Sequence, residues 1–326
     1  MKKSTKAILI GSGAVLTGAA AVASVVSYKT TKTLVNTALD REIPKAMKNK
    51  PMYKAEKDEK LLAFIKEKTE KLKNCVTETV EITGQDGKKL IGHWYHNEND
   101  KRIIIAMHGW RSSWTNDFAG IFDFWHDNGC SVLYAEQRAQ NGSDGDYMGF
   151  GMLERYDCLD WINWANEQNK DNLPIYLAGI SMGASTVLMT SGFKLPENVH
   201  GIMADCGFTS AKAIWKHVAQ NNMHLSYNIH SRMIEDLCKK KINISTEDYT
   251  TLDALKGNKI PVLFVHGTDD DFVPVEMTYE NYKACIAPKK LFVVPGANHA
   301  MSYIVDKDGY EKTVKEFWQE NDILKS

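Results

Sequence analysis

Short apolar runs recur along the chain from residue 102 onwards, and a polar or glycine-containing cluster follows each of them. Apolar runs of about 4–8 residues between turn residues are typical of buried strands, and stretches with helical periodicity separate them here. This alternation predicts an α/β fold with a mostly parallel central sheet and helices on both faces. The predicted strands are residues 102–107, 175–178, 201–204, 260–265 and 291–294, and the predicted helices lie near residues 116–127, 151–168, 182–192, 275–285 and 308–320.

Further segments complete the predicted catalytic domain, which spans residues 75–326. Residues 76–83 and 90–95 have the pattern of two antiparallel strands, joined by the turn residues 84–87. Residues 207–256 are too long for a loop and carry helical runs of their own. We therefore expect a small helical cap insertion at residues 207–256.

A helical linker is expected before this domain, over residues 29–74. Leu61, Phe64, Ile65 and Leu72 recur in it at helical spacing. Such a stripe is typical of an amphipathic helix that lies on a domain or on a membrane surface. Packing on the domain is the favoured interpretation.

The segment Gly179-Ile180-Ser181-Met182-Gly183 carries the strongest functional signal in the chain. It lies between a predicted buried strand and a helix rich in small residues, which is the context of a nucleophile elbow. Glycines two positions before and after the serine allow strand and helix to approach each other closely. The segment thus predicts a nucleophilic serine, with a purely structural turn as the alternative.

Polar clusters follow the other predicted strands at the same edge of the sheet. His108-Gly109-Trp110 follows one strand, and the clusters at 266–274 and 298–300 follow two others. Ligands of open parallel sheets bind at the carboxyl ends of the strands. A serine also needs a base to take its proton and a third group to orient that base. The clusters contain the histidines and carboxylates for both tasks.

These motifs resemble the α/β-hydrolase superfamily in the chain order Ser…Asp…His, and among its branches the bacterial serine hydrolases related to dipeptidyl and prolyl peptidases. The resemblance covers about residues 75–320. It implies Ser181 as nucleophile, His299 as general base and Asp270 as orienting acid, with Asp269 as a rival and Asp205 as a weaker one. The backbone amides of Met182 and Trp110 are implied as the oxyanion hole.

The implied activity is a serine hydrolase that cleaves a carboxylic ester, or a peptide or amide, through an acyl-enzyme. A catalytically inactive membrane scaffold is the alternative from a different class. No cofactor and no metal are implied, and the substrate is a small-molecule or peptide acyl compound. An apolar acyl pocket is one interpretation of four aromatic residues near the site, the other being plain core: Trp110, Trp114, Phe118 and Phe150.

Several features receive a structural interpretation. His108 and His266 are expected to be held within their loops. His93 and His96 lie three apart on a strand, so they point to opposite faces and do not suit a shared metal. Gln140 and Asn141 stand where the resembling family more often has His-Gly. The six scattered cysteines are expected to be packed free thiols.

Charge is distributed unevenly along a chain of ordinary globular composition. Residues 1–50 hold nine Lys and Arg against two acidic residues, a local charge of +7, so the formal total of −1 leaves −8 for the rest. A domain of that sign is not a candidate for nucleic-acid binding.

A basic tail, residues 1–6, precedes an uncharged stretch at residues 7–28. This stretch is long enough to cross a bilayer. It predicts a single-pass membrane anchor, with a cleaved signal peptide that ends at Ala23 as the alternative. The catalytic domain is expected outside the cytoplasm, and a chain that starts near Asn36 is expected to be soluble and active.

Overall fold

The computed structural model describes residues 24–45, 47–48 and 59–322. Its sheet has eight strands in the order β1-β2-β4-β3-β5-β6-β7-β8. The first two strands pair antiparallel and β2 is antiparallel to β4, while β3 to β8 are parallel. The predicted α/β-hydrolase fold is confirmed. The strands are β1 (Glu78–Thr83), β2 (Lys89–Tyr95), β3 (Arg102–Met107), β4 (Cys130–Ala135), β5 (Ile175–Ile180), β6 (Val199–Asp205), β7 (Val262–Gly267) and β8 (Lys289–Val294).

Helices cover both faces of this sheet because its central strands are apolar on both sides. In β3, Ile103 and Ile105 belong to one buried cluster and Ile104 belongs to the other. Alternate side chains of a strand point to opposite faces, so an uninterrupted apolar run fills two cores at once. The helices are α1 (24–39), α2 (Glu59–Lys73), α3 (Trp114–Asp117), α4 (Phe122–Asp127), α5 (Glu154–Gln168), α6 (Met182–Thr190), α7 (Ala211–His217), α8 (Tyr227–Ile242), α9 (Thr251–Leu255), α10 (Val275–Ala284), α11 (Ser302–Val305) and α12 (Lys307–Asn321).

The sequence predicts one helix near residues 116–127. This prediction is wrong in one respect, because the structure has two short helices there, α3 and α4. The chain between them turns at Gly120, a residue with poor helix propensity. A side chain at Gly120 would lie 3.2 Å from the Tyr303 ring. The turn therefore lets α11 pack closely against this part of the domain.

The expected linker contains two helices that both contact the domain. Helix α2 buries Leu72 completely in the cluster beneath α4, and Lys68 and Lys71 pair with Asp123 at 2.7 and 2.8 Å. Residues 40–45 and 47–48, between the two helices, are not helical. Here the chain pairs with another loop, because the Arg41 amide donates to the Asp146 carbonyl at 2.8 Å.

A third apolar cluster lies apart from the two sheet clusters. Helix α1 contributes Val35 and Leu39 to it, and the insertion after β6 contributes α7, a π-helical turn at Val218–Asn222, and α8. Helix α9, also in the insertion, instead buries Leu255 in a sheet cluster. The N-terminal helix and the insertion thus share one apolar core.

This packing corrects the expectation for a chain that starts near Asn36. Such a chain would lack Thr31 and Val35, which are 3% and 2% exposed and lie against the insertion. Removing them would uncover the third cluster, so residue 36 is not a boundary between linker and folded domain.

Most of the predicted membrane span, residues 7–23, lies outside the described residues, as does the tail at residues 1–6. Within the part of the chain that the structure describes, no helix combines the length and the apolar character needed to span a bilayer.

Candidate active site

Ser181 occupies a strained turn between β5 and α6. Its backbone has φ 56° and ψ −117°, a conformation that residues other than glycine rarely adopt. The Ser181 amide donates to the Asp205 carbonyl at 2.9 Å, which fixes the turn to the end of β6. The turn places the hydroxyl at the carboxyl edge of the sheet, at the amino end of a helix.

The glycines of this turn are required by close backbone contacts. A Cβ on Gly183 would overlap the carbonyl of Met107 in β3, and a Cβ on Gly179 would overlap the backbone of Gly183. Helix α6 therefore lies directly against the ends of β3 and β5. Larger residues at either position would push the helix and Ser181 away from the sheet.

Three side chains from three separate loops form one hydrogen-bonded chain. The Ser181 hydroxyl lies 2.9 Å from His299 Nε2, and His299 Nδ1 lies 2.7 Å from Asp270 Oδ2. Ser181 follows β5, Asp270 follows β7 and His299 follows β8. With Nδ1 protonated, the imidazole presents Nε2 as the acceptor for the serine proton.

The rival carboxylates are placed differently. Asp269 is exposed and accepts a hydrogen bond from Thr268 Oγ1 at 2.8 Å. Asp205 is buried, and its carboxylate accepts from Ser302 Oγ at 3.2 Å. Burial raises the pKa of Asp205 to about 6. Of the three candidates, Asp270 is the one whose carboxylate meets the His299 ring.

Four donors converge on the Asp270 carboxylate. His299 Nδ1 and His266 Nε2 lie 2.7 and 3.1 Å from Oδ2, and the amides of Phe272 and Val273 donate to Oδ1 at 3.0 and 2.8 Å. His266 Nδ1 also lies 2.7 Å from the hydroxyl of Thr278 on α10. This network holds the carboxylate in a single orientation.

The electrostatics of the Asp270–His299 pair favour an ionised carboxylate beside an imidazole with a raised pKa. Burial alone would raise the pKa of Asp270, but the charge of His299 and hydrogen bonds from both histidines outweigh it and hold this pKa well below its usual range. Burial would lower the pKa of His299, whereas the charge and hydrogen bond of Asp270 raise it above the ordinary value. Such opposed shifts are typical of a base and its orienting acid.

The two predicted oxyanion-hole residues belong to the two backbone segments next to Ser181, the start of α6 and the loop after β3. Met182 is the first residue of α6, so its amide is one of the helical N–H groups that have no carbonyl partner within the helix. Trp110 lies in the loop after β3. A Cβ on the preceding residue, Gly109, would lie 3.3 Å from the Ser181 Cβ. The loop that carries the Trp110 amide therefore passes against the serine.

The chain also matches a known protein family in sequence. Residues 117–321, more than half of the chain, match the prolyl oligopeptidase family. The chain belongs to that family.

Two bacterial proteins are similar to this prolyl oligopeptidase family member over most of its length. The protein YqkD of Bacillus subtilis is 26% identical over 235 residues, which are 71% of this chain and 75% of YqkD. The protein YfhR of Escherichia coli strain K12 is 21% identical over 228 residues, which are 68% of this chain and 73% of YfhR. Neither relative carries a named substrate.

Solved structures show the same fold at low sequence identity. An esterase from Pyrococcus furiosus has a TM-score of 0.61 and 23% identity, over 84% of this chain and 100% of the esterase. An acylaminoacyl peptidase from Pyrococcus horikoshii has a TM-score of 0.56 and 14% identity, over 77% of this chain and 43% of the peptidase. The family member thus has the α/β-hydrolase fold, and the family match supports a hydrolase.

Gln140 and Asn141, which received a structural interpretation, support the loop at Trp110. The Gln140 side chain accepts from the Arg111 amide at 2.6 Å, and Asn141 Nδ2 donates to the Ser112 carbonyl at 3.0 Å. These are the positions where the resembling family more often has His-Gly. Polar residues directly after an apolar strand were the signal available in the sequence.

His108 braces the same loop from below. Its ring Nδ1 lies 2.8 Å from the Gly109 carbonyl, and its Nε2 accepts from the Gln137 amide at 3.1 Å. Burial lowers the pKa of His108, so the neutral ring serves one donor and one acceptor. His108 is not within the Ser181–His299 hydrogen-bonded chain.

The remaining candidates are dispersed. His93 Nε2 lies 2.8 Å from Glu136 and its ring stacks on Trp114, whereas His96 is largely exposed. Among the described residues, one group of possible metal ligands clusters, Cys206 with Asp270 and His299. Burial raises the pKa of Cys206 well above its usual value, so this thiol is a poor metal ligand. All six cysteines are free, and Cys75 alone among them is not fully buried.

The four aromatic residues considered for a pocket divide into two pairs. Trp114 and Phe118 pack with Tyr134 in a sheet cluster and are core. Trp110 and Phe150 lie with ring centroids 6.0 Å apart in the third cluster, beside α1 and the insertion. The pocket interpretation therefore remains a prediction for Trp110 and Phe150 and is wrong for Trp114 and Phe118.

Proposed function

We propose that this family member is a serine hydrolase that works through an acyl-enzyme. The observation that carries the proposal is the continuous hydrogen-bonded chain from Ser181 through His299 to Asp270. A serine, a base and an orienting carboxylate in this geometry are the parts needed for acyl transfer. The low pKa of Asp270 and the raised pKa of His299 support the assigned roles.

In the proposed acylation, Ser181 Oγ attacks the substrate carbonyl carbon while its proton moves to His299 Nε2. The tetrahedral intermediate then collapses, and His299 returns that proton to the departing alcohol or amine. In deacylation, water gives a proton to His299 and attacks the acyl carbon, and Ser181 leaves with the proton. Asp270 stabilises the imidazolium in both steps without taking its proton.

Two backbone donors are proposed to bind the negative oxygen of the intermediate. These are the amides of Met182, directly after the serine, and of Trp110, in the loop that passes against it. Donors that are already oriented before charge develops are commonly worth about 3–4 kcal/mol of barrier each. The helix N-terminus at Met182 adds a positive partial charge at the same place.

A carboxylic ester is the proposed substrate, with a peptide or amide as second candidate. Trp110 and Phe150 beside the site are apolar, which suits an acyl group better than a charged amino terminus. Membership of a peptidase family supports the second candidate.

Matched ester and anilide substrates with the same acyl group test this choice. We expect turnover of the ester, and covalent labelling of the protein by a fluorophosphonate probe. Efficient anilide cleavage with weaker ester cleavage would favour the peptidase. Neither turnover nor labelling in the folded protein would favour a non-catalytic scaffold.

We also propose that residues 7–28 anchor the protein in a membrane, with the catalytic domain outside the cytoplasm. Support comes from the uncharged stretch beside the basic tail at residues 1–6. The lipid bilayer is then a partner in addition to the acyl substrate.

Three chain lengths provide a prediction for this arrangement. The full chain is expected to resist carbonate extraction from membranes, and a chain that starts at Ser24 to be soluble and folded. A chain that starts at Asn36 is expected to lose stability, because burying Val35 alone is worth about 1.5–3 kcal/mol. A Tm lower by about 5 °C or more, measured against the Ser24 chain, checks this.

If the N-terminal segment were a cleaved signal peptide, the mature protein would have a different first residue. N-terminal sequencing of the mature protein would then find Ser24 as its first residue. Equal Tm values for the Ser24 and Asn36 chains would show that α1 contributes nothing to the folded domain. Protection of the domain from protease in intact cells would overturn the proposed orientation.

A further inference from the structure

Helix α1 is fixed to the insertion after β6 along one side. Its Ser27 and Thr31 hydroxyls lie 3.2 and 3.0 Å from Nδ1 of His230 on α8. At its end, Asp40 pairs with Lys241 of α8 at 2.5 Å. Polar contacts at both ends of the helix, with buried apolar residues between them, define one docked position.

The same helix is also fixed to the loop that carries the proposed oxyanion donor. The Trp110 indole donates to the Ala38 carbonyl at 2.9 Å. The Arg111 guanidinium donates to the Thr37 carbonyl at 2.8 Å and also to the Asp40 carbonyl. Carbonyls in the last turn of a helix have no partner within the helix, so Trp110 and Arg111 satisfy them. The end of α1 and the site loop are therefore one hydrogen-bonded unit.

An apolar cavity of about 80 Å³ lies between α1, the insertion and this loop. Thr31, Leu34, Val35 and Ala38 form the wall from α1, and Trp110, Phe150 and Phe272 lie among the facing residues. The Phe272 ring also meets the His299 ring edge-on, with centroids 5.1 Å apart. The cavity thus shares Trp110 with the proposed oxyanion loop and Phe272 with the surroundings of His299.

A second cavity, of about 310 Å³, adjoins His299 itself. Its lining is more polar and includes Ser112, Asn116, Asp117 and Asn298. In the proposed mechanism His299 gives its proton to the leaving group, so the leaving group must lie on the side of His299. The polar cavity suits that part of the substrate, which leaves the apolar cavity for the acyl chain.

We propose that helix α1 completes the acyl-binding pocket and that the pocket takes a short, unbranched apolar acyl chain. The inference rests on the proposed serine-hydrolase function. Benzene, with six carbons, occupies an engineered protein cavity of about 150 Å³, so a cavity of about 80 Å³ suits roughly half as many carbons. A butanoyl group has three carbons beyond its carbonyl and fits this space.

The pocket wall from α1 precedes the residues that match the family, which begin at residue 117. On this proposal, residues outside the matched region determine which acyl group binds. Helix α1 begins within the proposed membrane anchor, since residues 24–28 belong to both, so anchor and specificity element are continuous in sequence.

The test is Ala38→Leu in the full chain, with 4-nitrophenyl butanoate and acetate as substrates. The larger side chain fills the cavity, and we expect the kcat/KM ratio of butanoate to acetate to fall about tenfold or more. Thr30→Leu is the matched control, since residue 30 is exposed on the same helix and does not line the cavity. It is expected to leave the ratio unchanged.

Leu34→Ala provides the opposite change and guards against a folding defect in the first variant. It enlarges the cavity, so we expect the hexanoate to butanoate ratio to rise several-fold while Ser181 remains reactive toward a fluorophosphonate. Chain-length profiles that match the wild type in both variants would overturn the inference even though esters are cleaved. Absence of Ser181-dependent ester cleavage in the wild type would instead refute the proposed function.

Discussion

Ser181→Ala is expected to lower kcat for ester hydrolysis by roughly 10⁴–10⁶-fold. The substitution removes the oxygen that forms the acyl-enzyme and leaves His299 without a proton to take. It should also abolish fluorophosphonate labelling. The backbone at residue 181 has φ 56° in either case, so alanine has a strain similar to that of serine and the fold should persist.

Ser191→Ala is the matched control for that variant. Ser191 ends the same helix α6, and its hydroxyl donates to the Leu188 carbonyl at 2.7 Å, far from His299 in the hydrogen-bond network. It should retain labelling and turnover close to wild type. Turnover within tenfold of wild type in contaminant-free Ser181→Ala would refute the assignment of Ser181 as the nucleophile.

Asp270→Asn is expected to lower kcat by about 10⁴-fold. The asparagine amide cannot accept all four hydrogen bonds that converge on the carboxylate, and its NH₂ group would face donors. His299 would lose the acceptor that holds its proton on Nδ1. Asp269→Asn is the matched control, because residue 269 is adjacent but exposed, and its effect on kcat should be small.

The pH dependence gives this prediction a second measurement. Since His299 must be neutral to accept the serine proton, activity rises as pH increases through its pKa, which Asp270 raises above the ordinary value. Removing the carboxylate should move this acid limb to lower pH. A large loss of kcat in Asp269→Asn, or an acid limb unmoved in Asp270→Asn, would show that another carboxylate orients the base.

The proposed acyl pocket changes how the N-terminal third of the chain is viewed. Helix α1 is a wall of one cavity, and Phe64 and Lys68 of α2 lie in the lining of the other. Both cavities adjoin the Ser181–His299 pair or its neighbours. Helices α1 and α2 therefore contribute to the two cavities as well as preceding the sheet in sequence.

The sequence by itself determined seven of the eight strands, all except β4, and the position of the serine. An uninterrupted apolar run such as residues 103–107 is buried between two helical layers, and the sequence shows such a run directly. The two glycines around Ser181 are dictated by contacts that every strand–turn–helix of this type makes. The order of the three loops then follows from the order of the strands, because the carboxyl ends of parallel strands meet at one edge.

The family resemblance implies Asp270 as the orienting acid, but only the tertiary structure distinguished it from its rivals and showed which residues line the proposed pocket. Asp269, Asp270 and Asp271 are chemically equivalent in sequence, and the turn that points Asp270 inward depends on the amides of Phe272 and Val273. The docking of α1 depends on Trp110 and Arg111, which are more than 70 residues away along the chain. Apolar periodicity shows that a helix has a face to bury, but the partner of that face is set by packing between distant segments.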